Sequence, residues 1–400
     1  MKSEWGKVNL GDVCDLIPGF AFKSKDFGSH PTKVVKIGDI QPPRVAIDCL
    51  EGVNLSSYSP NKLEKYLVTK GDFVLAMTGA TIGKLGRFLA DKPAYINQRV
   101  LRFKPKENVD WNFIYYVVNT KDFSGFVYNH IDSETAQPNI SAGTLATFSF
   151  SIPPLPIQRK IASILSSLDD KIETNNAICR NLEEQAMALY KSWFVDFEPF
   201  GGIAPDKWEK GVLGDFISCN PQLTKGKYMG TFIDMKALPT SGYRISTFLH
   251  KIKATGTKFQ NGDVLMARIT PCLENGKTGI VWGLEEDEVG RGSTEFIVLR
   301  GKEAPLTSYI ACLSRDDTFR DYAIKRMNGS SGRQRVQASD IIQYPILVPS
   351  KEVLCRFENT VSSFFGGIKA RSDENDYLSK LRDTLLPKLM SGELSIDTIN

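Results

Sequence analysis

The sequence predicts an α+β fold built twice from one plan. Two similar globular domains are separated by two long antiparallel coiled-coil helices, giving a pseudo-twofold internal repeat. Three observations carry this. "PPLPIQRKIASILSSLDDKIETNNAICRNLEEQAMALYKSWF", from Pro153 to Phe194, reads as one uninterrupted helix with prolines at its start. "PSKEVLCRFENTVSSFFGGIKARSDENDYLSKLRDTLLPKLM" repeats the pattern from Pro349, about 196 residues later. Four shorter segments outside the helices also recur in the same order.

The first recurrence pairs "WGKVNLGDVCDL", from Trp5, with "WEKGVLGDFISC", from Trp208. The second pairs "GDFVLAMTGATIGKLG", from Gly71, with "GDVLMARITPCLENGKTG", from Gly262. "NQRVLRF" at Asn97 parallels "TEFIVLR" at Thr294, and "SETAQPNISAGTLATFSFSIP" at Ser133 parallels "SSGRQRVQASDIIQYPILVP" at Ser330. "DFVLAM", "RVLRF", "FIVLR" and "YPILVP" have strand composition, with Gly, Pro, Asn and Asp between them. "VDWNFIYYVVNT" and "LTSYIACLSRDDTFRDYAIK" read as helical. Strands and helices do not alternate regularly, which favours α+β over a doubly wound sheet. The expected boundaries are residues 1–153 for the first domain and 154–198 for the central helix. They are 199–349 for the second domain and 350–400 for the C-terminal helix.

In the central helix a narrow seam recurs at steps of three and four: Ile161, Ile164, Leu168, Ile172, Asn175, Cys179, Leu182, Ala186, Leu189 and Trp193. A helix from Ile157 to Phe194 would be about 57 Å long and cannot bury such a stripe alone. Val353, Phe357, Phe364, Ile368, Leu378, Leu385 and Leu389 offer the matching seam, with Arg371 and Asn375 at the places of Asn175 and Cys179. Antiparallel pairing is expected, because parallel pairing would crowd both domains at one end. Gly366–Gly367 should weaken the second helix, and Pro387 should kink or end it near its last turn.

With 42% hydrophobic residues the chain can bury more than one core. No apolar run approaches the roughly 18 residues of a membrane span, and "MKSEWGKVNL" is not a signal peptide, so a cytoplasmic protein is expected. The seven cysteines are an odd, scattered set without a CxxC pair and read as buried free thiols. A net charge of +4 permits an acidic partner without requiring one.

Signals for catalysis are poor. The three histidines lie far apart with no ligand spacing, so no metal site is expected. "GATIGK", at Gly79, is one residue short of a phosphate loop and lacks the following Ser or Thr. "NPQL", at Asn220, lacks the aromatic that an amino-methyltransferase stacks on a flipped base. Pro205-Asp206 with Asp234-Met235-Lys236 has a nuclease outline but also reads as a linker turn.

Signals for binding are better. "MNGSSGRQRVQ", from Met327, is a glycine- and serine-rich loop carrying Arg333, Gln334 and Arg335, just after Lys325 and Arg326. Arg and Gln are the side chains that read guanine and adenine edges bidentately. The equivalent first-half loop carries Gln137 and Asn139. "FAFKSKDF" interleaves Lys23 and Lys25 with aromatics, and "LTKGKYMG" does so with Lys225 and Lys227. Thr78, Thr81, Gln98, Arg99, Arg268 and Thr270, in the recurring segments, complete the candidate nucleic-acid contacts.

"IPPLPIQRKIASILSSLDDKIETNN", "LYKSWFVDFEPF" and "LRDTLLPKLMSGEL", with "MARITPCLENGKTG" and "SSGRQRV", closely resemble the specificity subunits of type I restriction-modification systems. The resemblance spans nearly the whole chain, strongly in the helices and weakly in the first domain. It implies that each globular half is a target-recognition domain reading one half of a bipartite double-stranded DNA site, with the helices acting as a ruler. It implies a chain that is not itself an enzyme and holds no cofactor. S-adenosylmethionine, ATP and Mg would lie on partner modification (methyltransferase) and restriction/translocase subunits. Two other readings are open at this point: a self-contained methyltransferase or nuclease with its own recognition domains, and a coiled-coil scaffold that ignores DNA.

Overall fold

The computed structural model describes residues 5–132, 138–223 and 226–394. It divides into two compact units. One comprises the described residues of Met1–Asp170 with Leu378–Asn400, the other Lys171–Tyr377.

In the first unit, Gly6–Asn9 pairs antiparallel with Ser149–Ile152, so the globular segment is tied shut just before the central helix. A six-stranded sheet runs in the order Cys14–Pro18, Val100–Pro105, Phe73–Ala76, Leu85–Arg87, Arg44–Val45, Ile40–Gln41. A four-stranded sheet has the order Glu51–Val53, Phe27–Val35, Ala94–Ile96, Leu67–Val68, with its middle pair parallel. All four side chains of Phe73–Ala76 are buried, as a strand covered on both faces requires. Helices Trp111–Val117 and Lys121–Asn129 are N-capped by Asp110 and Thr120, which accept from the amides of Phe113 and Phe123.

The second unit repeats this plan. Glu209–Val212 pairs with Pro345–Val348. One sheet has the order Ile217–Cys219, Phe296–Gly301, Val264–Ala267, Thr278–Ile280. The other runs Leu249–His250, Thr231–Ile233, Gly290–Gly292, Thr257–Phe259, again with a parallel middle pair. The long helical stretch after Leu306 is two helices, Thr307–Arg315 and Asp317–Lys325. Asp316 separates them, because its carboxylate accepts from the Phe319 amide and starts the second.

The central helix spans Leu155–Phe194 and the C-terminal helix Lys351–Met390, 40 residues each. In the first unit Ile161 and Leu165 are buried with Leu389, and Arg382 bonds Asp169 at 2.8 Å. In the second unit Asn175 meets Asn375, the Cys179 thiol faces the Ile368 carbonyl, and Trp193 packs on Phe357. Numbers rise on one helix as they fall on the other, so the pairing is antiparallel in each unit. The buried face is broader than the expected seam. Leu165, Tyr190, Leu354, Val361 and Phe365 are buried as well, because the helices also pack on the sheets and short helices of each unit.

Two expected weak points are not breaks. A Cβ on Gly367 would sit 3.1 Å from Leu182, so the glycine permits close approach of the two helices. The helix also continues through Pro387 to Met390, where burial of Leu389 offsets the lost backbone donor.

The middle of the pair in the second unit is polar. The Asn175 amide donates to Glu374 at 2.8 Å and to Asn375 Oδ1 at 3.0 Å, and Asn375 donates to Asn176 at 2.9 Å. Side-chain amides that must meet across a helix pair penalise other registers. Asn375→Ala is expected to cost about 1–3 kcal/mol, because Asn175 and Asn176 each lose a partner. Tyr377→Ala, at a side chain 66% exposed, should stay within about 0.5 kcal/mol of wild type in the same chemical denaturation series.

Candidate nucleic-acid interface

In the second unit, three segments meet at the end of strand Val264–Ala267. Arg268 donates its amide to the Glu295 carbonyl at 3.0 Å, and its own carbonyl accepts from Val336 at 3.0 Å. The Thr270 amide donates to the Gln334 carbonyl at 3.0 Å. Asn328 and Arg335 exchange backbone bonds of 3.0 and 2.9 Å, closing the loop between them. Gly329 has φ +131°, and a Cβ there would lie 3.1 Å from the Arg333 carbonyl, so this turn requires glycine.

The first unit builds the same frame. Met77 donates to the Arg99 carbonyl at 2.9 Å, Ile140 to the Met77 carbonyl at 3.0 Å, and Gly79 to the Pro138 carbonyl at 2.9 Å. Asp132 and Asn139 close the loop, and Thr78 bridges Asn139. Thus Arg99 stands where Glu295 stands, and Asn139 where Arg335 stands.

This frame brings together Thr78, Thr81, Arg99 and Asn139 in one unit, with exposed Gln98 alongside. In the other it gathers Arg268, Thr270, Arg333, Gln334 and Arg335. Thr81 donates its hydroxyl to the Thr78 carbonyl, and the Thr78 and Thr270 hydroxyls are buried without a partner. Arg333 is exposed and Gln334 half-buried at the loop tip. Lys325 and Arg326 are exposed at the end of helix Asp317–Lys325, with the Arg326 guanidinium 3.4 Å over the Tyr322 ring.

Arg335 is engaged within the protein. Its guanidinium binds both oxygens of Glu295 at 2.7–3.0 Å and donates to the Arg333 carbonyl at 3.0 Å. These bonds hold the Glu295 carboxyl below its usual range.

Other candidates lie elsewhere. Lys23 and Lys25 are exposed, but Phe20, Phe22 and Phe27 beside them pack with Tyr58, Tyr66 and Tyr95 as a small core. The interleaved aromatics therefore fill the fold. Lys227 pairs its backbone with Asp287 and Val289, next to the acidic run Glu285–Glu288. Gln137 and Lys225 lie outside the described residues.

Residues of two motifs weighed for catalysis have structural roles here. Asn220 ties its backbone and side chain to Val298, and the Asp234 carboxylate caps the amides of Lys236 and Ala237. Burial pushes the Cys14 and Cys219 thiols up to about 12, whereas Cys49 is exposed, unlike the buried thiol expected. A cleft of about 630 Å³ in the first unit, lined by Phe150, Leu386 and Met390 among others, shares no residue with the frame. No described helix is long and apolar enough to cross a membrane.

The family described as "Type I restriction modification DNA specificity domain" matches residues 2–184. The MjaIX specificity subunit of Methanocaldococcus jannaschii is 25% identical, over 86% of this chain and 83% of its own. The HindI specificity subunit of Haemophilus influenzae is 22% identical over 98% of this chain and 100% of its own. The chain is thus similar to type I specificity subunits along most of its length. The crystal structure of the type I system S subunit from M. genitalium has the same fold, with a TM-score of 0.57 at 16% identity. That match covers 97% of this chain and 96% of the other.

Sequence reading missed a residue that braces the turn following Thr270. Arg315, on helix Thr307–Arg315, donates to the carbonyls of Thr240, Gly276 and Thr278 at 2.6–3.1 Å, and also to that of Gly242. It thereby knits the turn after Thr270 to a neighbouring loop. Its partners are backbone carbonyls up to 76 positions away, which no motif marks. Arg315→Ala should destabilise the second unit by at least about 2–3 kcal/mol in denaturant melts. Arg315→Lys should recover only part of this, since an ammonium cannot reproduce the fork.

Proposed function

We propose that this chain is a specificity subunit that reads a bipartite double-stranded DNA target, one half-site per unit, through the loops that the two frames hold. The observation carrying this is the repeated frame with unlike side chains. Backbone bonds at equivalent places hold loops that carry Arg333 and Gln334 in one unit and Asn139 in the other. A constant backbone with variable polar tips suits base-edge readout, where Arg addresses guanine and Gln or Asn addresses adenine. Lys325 and Arg326 are phosphate contacts, which position the protein without specifying sequence. Lys23, Lys25 and Lys227 join that class at most.

Catalysis belongs to partner subunits, in keeping with specificity subunits as a family. Modification subunits would hold S-adenosylmethionine, and restriction subunits would hold ATP and Mg. The paired helices provide their docking surface and set the spacer between half-sites.

The test of readout is a binding selection from randomised bipartite DNA with the assembled complex. Gln334→Ala or Arg333→Ala should relax one position of one half-site, at about 1–3 kcal/mol, and leave the other half-site intact. Lys325→Ala should weaken binding evenly and reduce the salt slope by about one. Wild-type motifs from both loop variants would refute loop readout. The test of spacing is a matched insertion of four residues in both helices, after Asn176 and before Asn375. At about 1.5 Å per residue and 3.4 Å per base pair, the preferred spacer should grow by about two base pairs with both half-sites unchanged. Altered half-sites with an unaltered spacer would refute the ruler.

A further inference from the structure

We infer that Glu295 and Arg335 are positioning residues that set the base preference of the second unit's loop without touching DNA themselves. The inference rests on the DNA-reading function proposed above.

Three observations carry it. The pair joins segments 40 residues apart, binding the turn before strand Phe296–Gly301 to the closing residue of the loop. The same guanidinium braces the loop from inside, through its bond to the Arg333 carbonyl. Arg333 and Gln334, the two candidate readers, immediately precede the anchored residue. Any tilt of the Arg335 guanidinium therefore moves both.

The charge pattern also calls for an explanation. A carboxylate beside a loop that faces phosphates opposes binding, and it also engages one of the loop's two arginines, which could otherwise reach a phosphate. Glu295 thus lowers the general attraction for DNA while fixing geometry. The two side chains are 25% and 38% exposed, so solvent screens the pair only in part. The first unit carries different side chains at these places. Its equivalent positions hold Arg99 and Asn139, which cannot form an acid–base pair with each other. The effect of breaking the pair should accordingly be confined to one half-site.

The experiment is the same randomised bipartite selection with the assembled complex, together with affinity measured against salt. Glu295→Gln removes the charge and keeps the shape. The expected result is loss of about tenfold in preference at one or two positions of the second half-site, with the first half-site unchanged. Releasing Arg335 should also steepen the slope of log affinity against log salt by about one and raise affinity for unrelated DNA. A role in stability alone would move neither readout in this way. Arg335→Lys retains the charge but not the fork, and should relax the motif while leaving unrelated DNA bound as in wild type. If Glu295→Gln fails to assemble, Glu295→Asp retains the charge on a shorter arm and should relax the same positions without changing the salt slope.

A wild-type second motif and an unchanged slope from Glu295→Gln, or a wild-type motif from Glu295→Asp in its place, overturn the inference. Gln334→Ala, run alongside, separates the two failures. If it relaxes the half-site while the Glu295 variants do not, readout stands and the positioning role is lost. If none relaxes it, loop readout itself is wrong.

Discussion

Closure of each globular unit depends on two helix ends that are far apart in sequence. In the first unit, Ile161 and Leu165 from the start of the central helix share a core with Leu389 from the end of the C-terminal helix. In the second, Tyr190 and Trp193 share a core with Phe357 and Val361. Neither sheet system is covered by its own domain segment alone. The apolar ends must pair to bury these faces, and removing a side chain such as Phe357 would open a cavity in the core itself.

Polar bonds then fix where the helices sit on those cores. Asp169 accepts from the Tyr116 hydroxyl at 2.7 Å and from Arg382 at 2.8 Å, joining a short helix to both long ones. Gln158 accepts from the Asp110 amide and donates to the Pro153 carbonyl. In the second unit the Glu358 carboxylate accepts from the amides of Ser308 and Tyr309 at the start of a helix. Each of these is directional where the apolar contacts are not, so they choose one seating among many of similar burial. The same division holds at the frame repeated in both units. Backbone bonds, identical in kind in both units, set the platform, and the side chains above it are free to differ.

Much of this was legible in the chain. Apolar steps of three and four predicted both long helices, and runs such as "DFVLAM" and "FIVLR" predicted buried strands, because hydrophobic spacing reports directly which face is covered. The repeat was visible because equivalent positions in the two halves meet equivalent surroundings. "SSGRQRV" marked a polar loop through its glycines and its Arg-Gln-Arg run, which is local information. The burial of the "FAFKSKDF" aromatics was not legible, since a lysine-flanked phenylalanine reads alike whether it faces solvent or a tyrosine from another strand.

Sequence alone therefore determined the plan: two α+β halves, two long helices and their repeat. Tertiary structure decided which charges of the polar loop are held within the protein. Arg333 and Arg335 are equivalent in a sequence window, yet one is exposed and the other is bound to Glu295. Tertiary structure likewise carried the C-terminal helix through Gly366–Gly367 and Pro387, where local propensity favoured a break. In both cases the deciding partner lies tens of residues away or more, and only folding brings it within the few ångströms over which ion pairs and packing act.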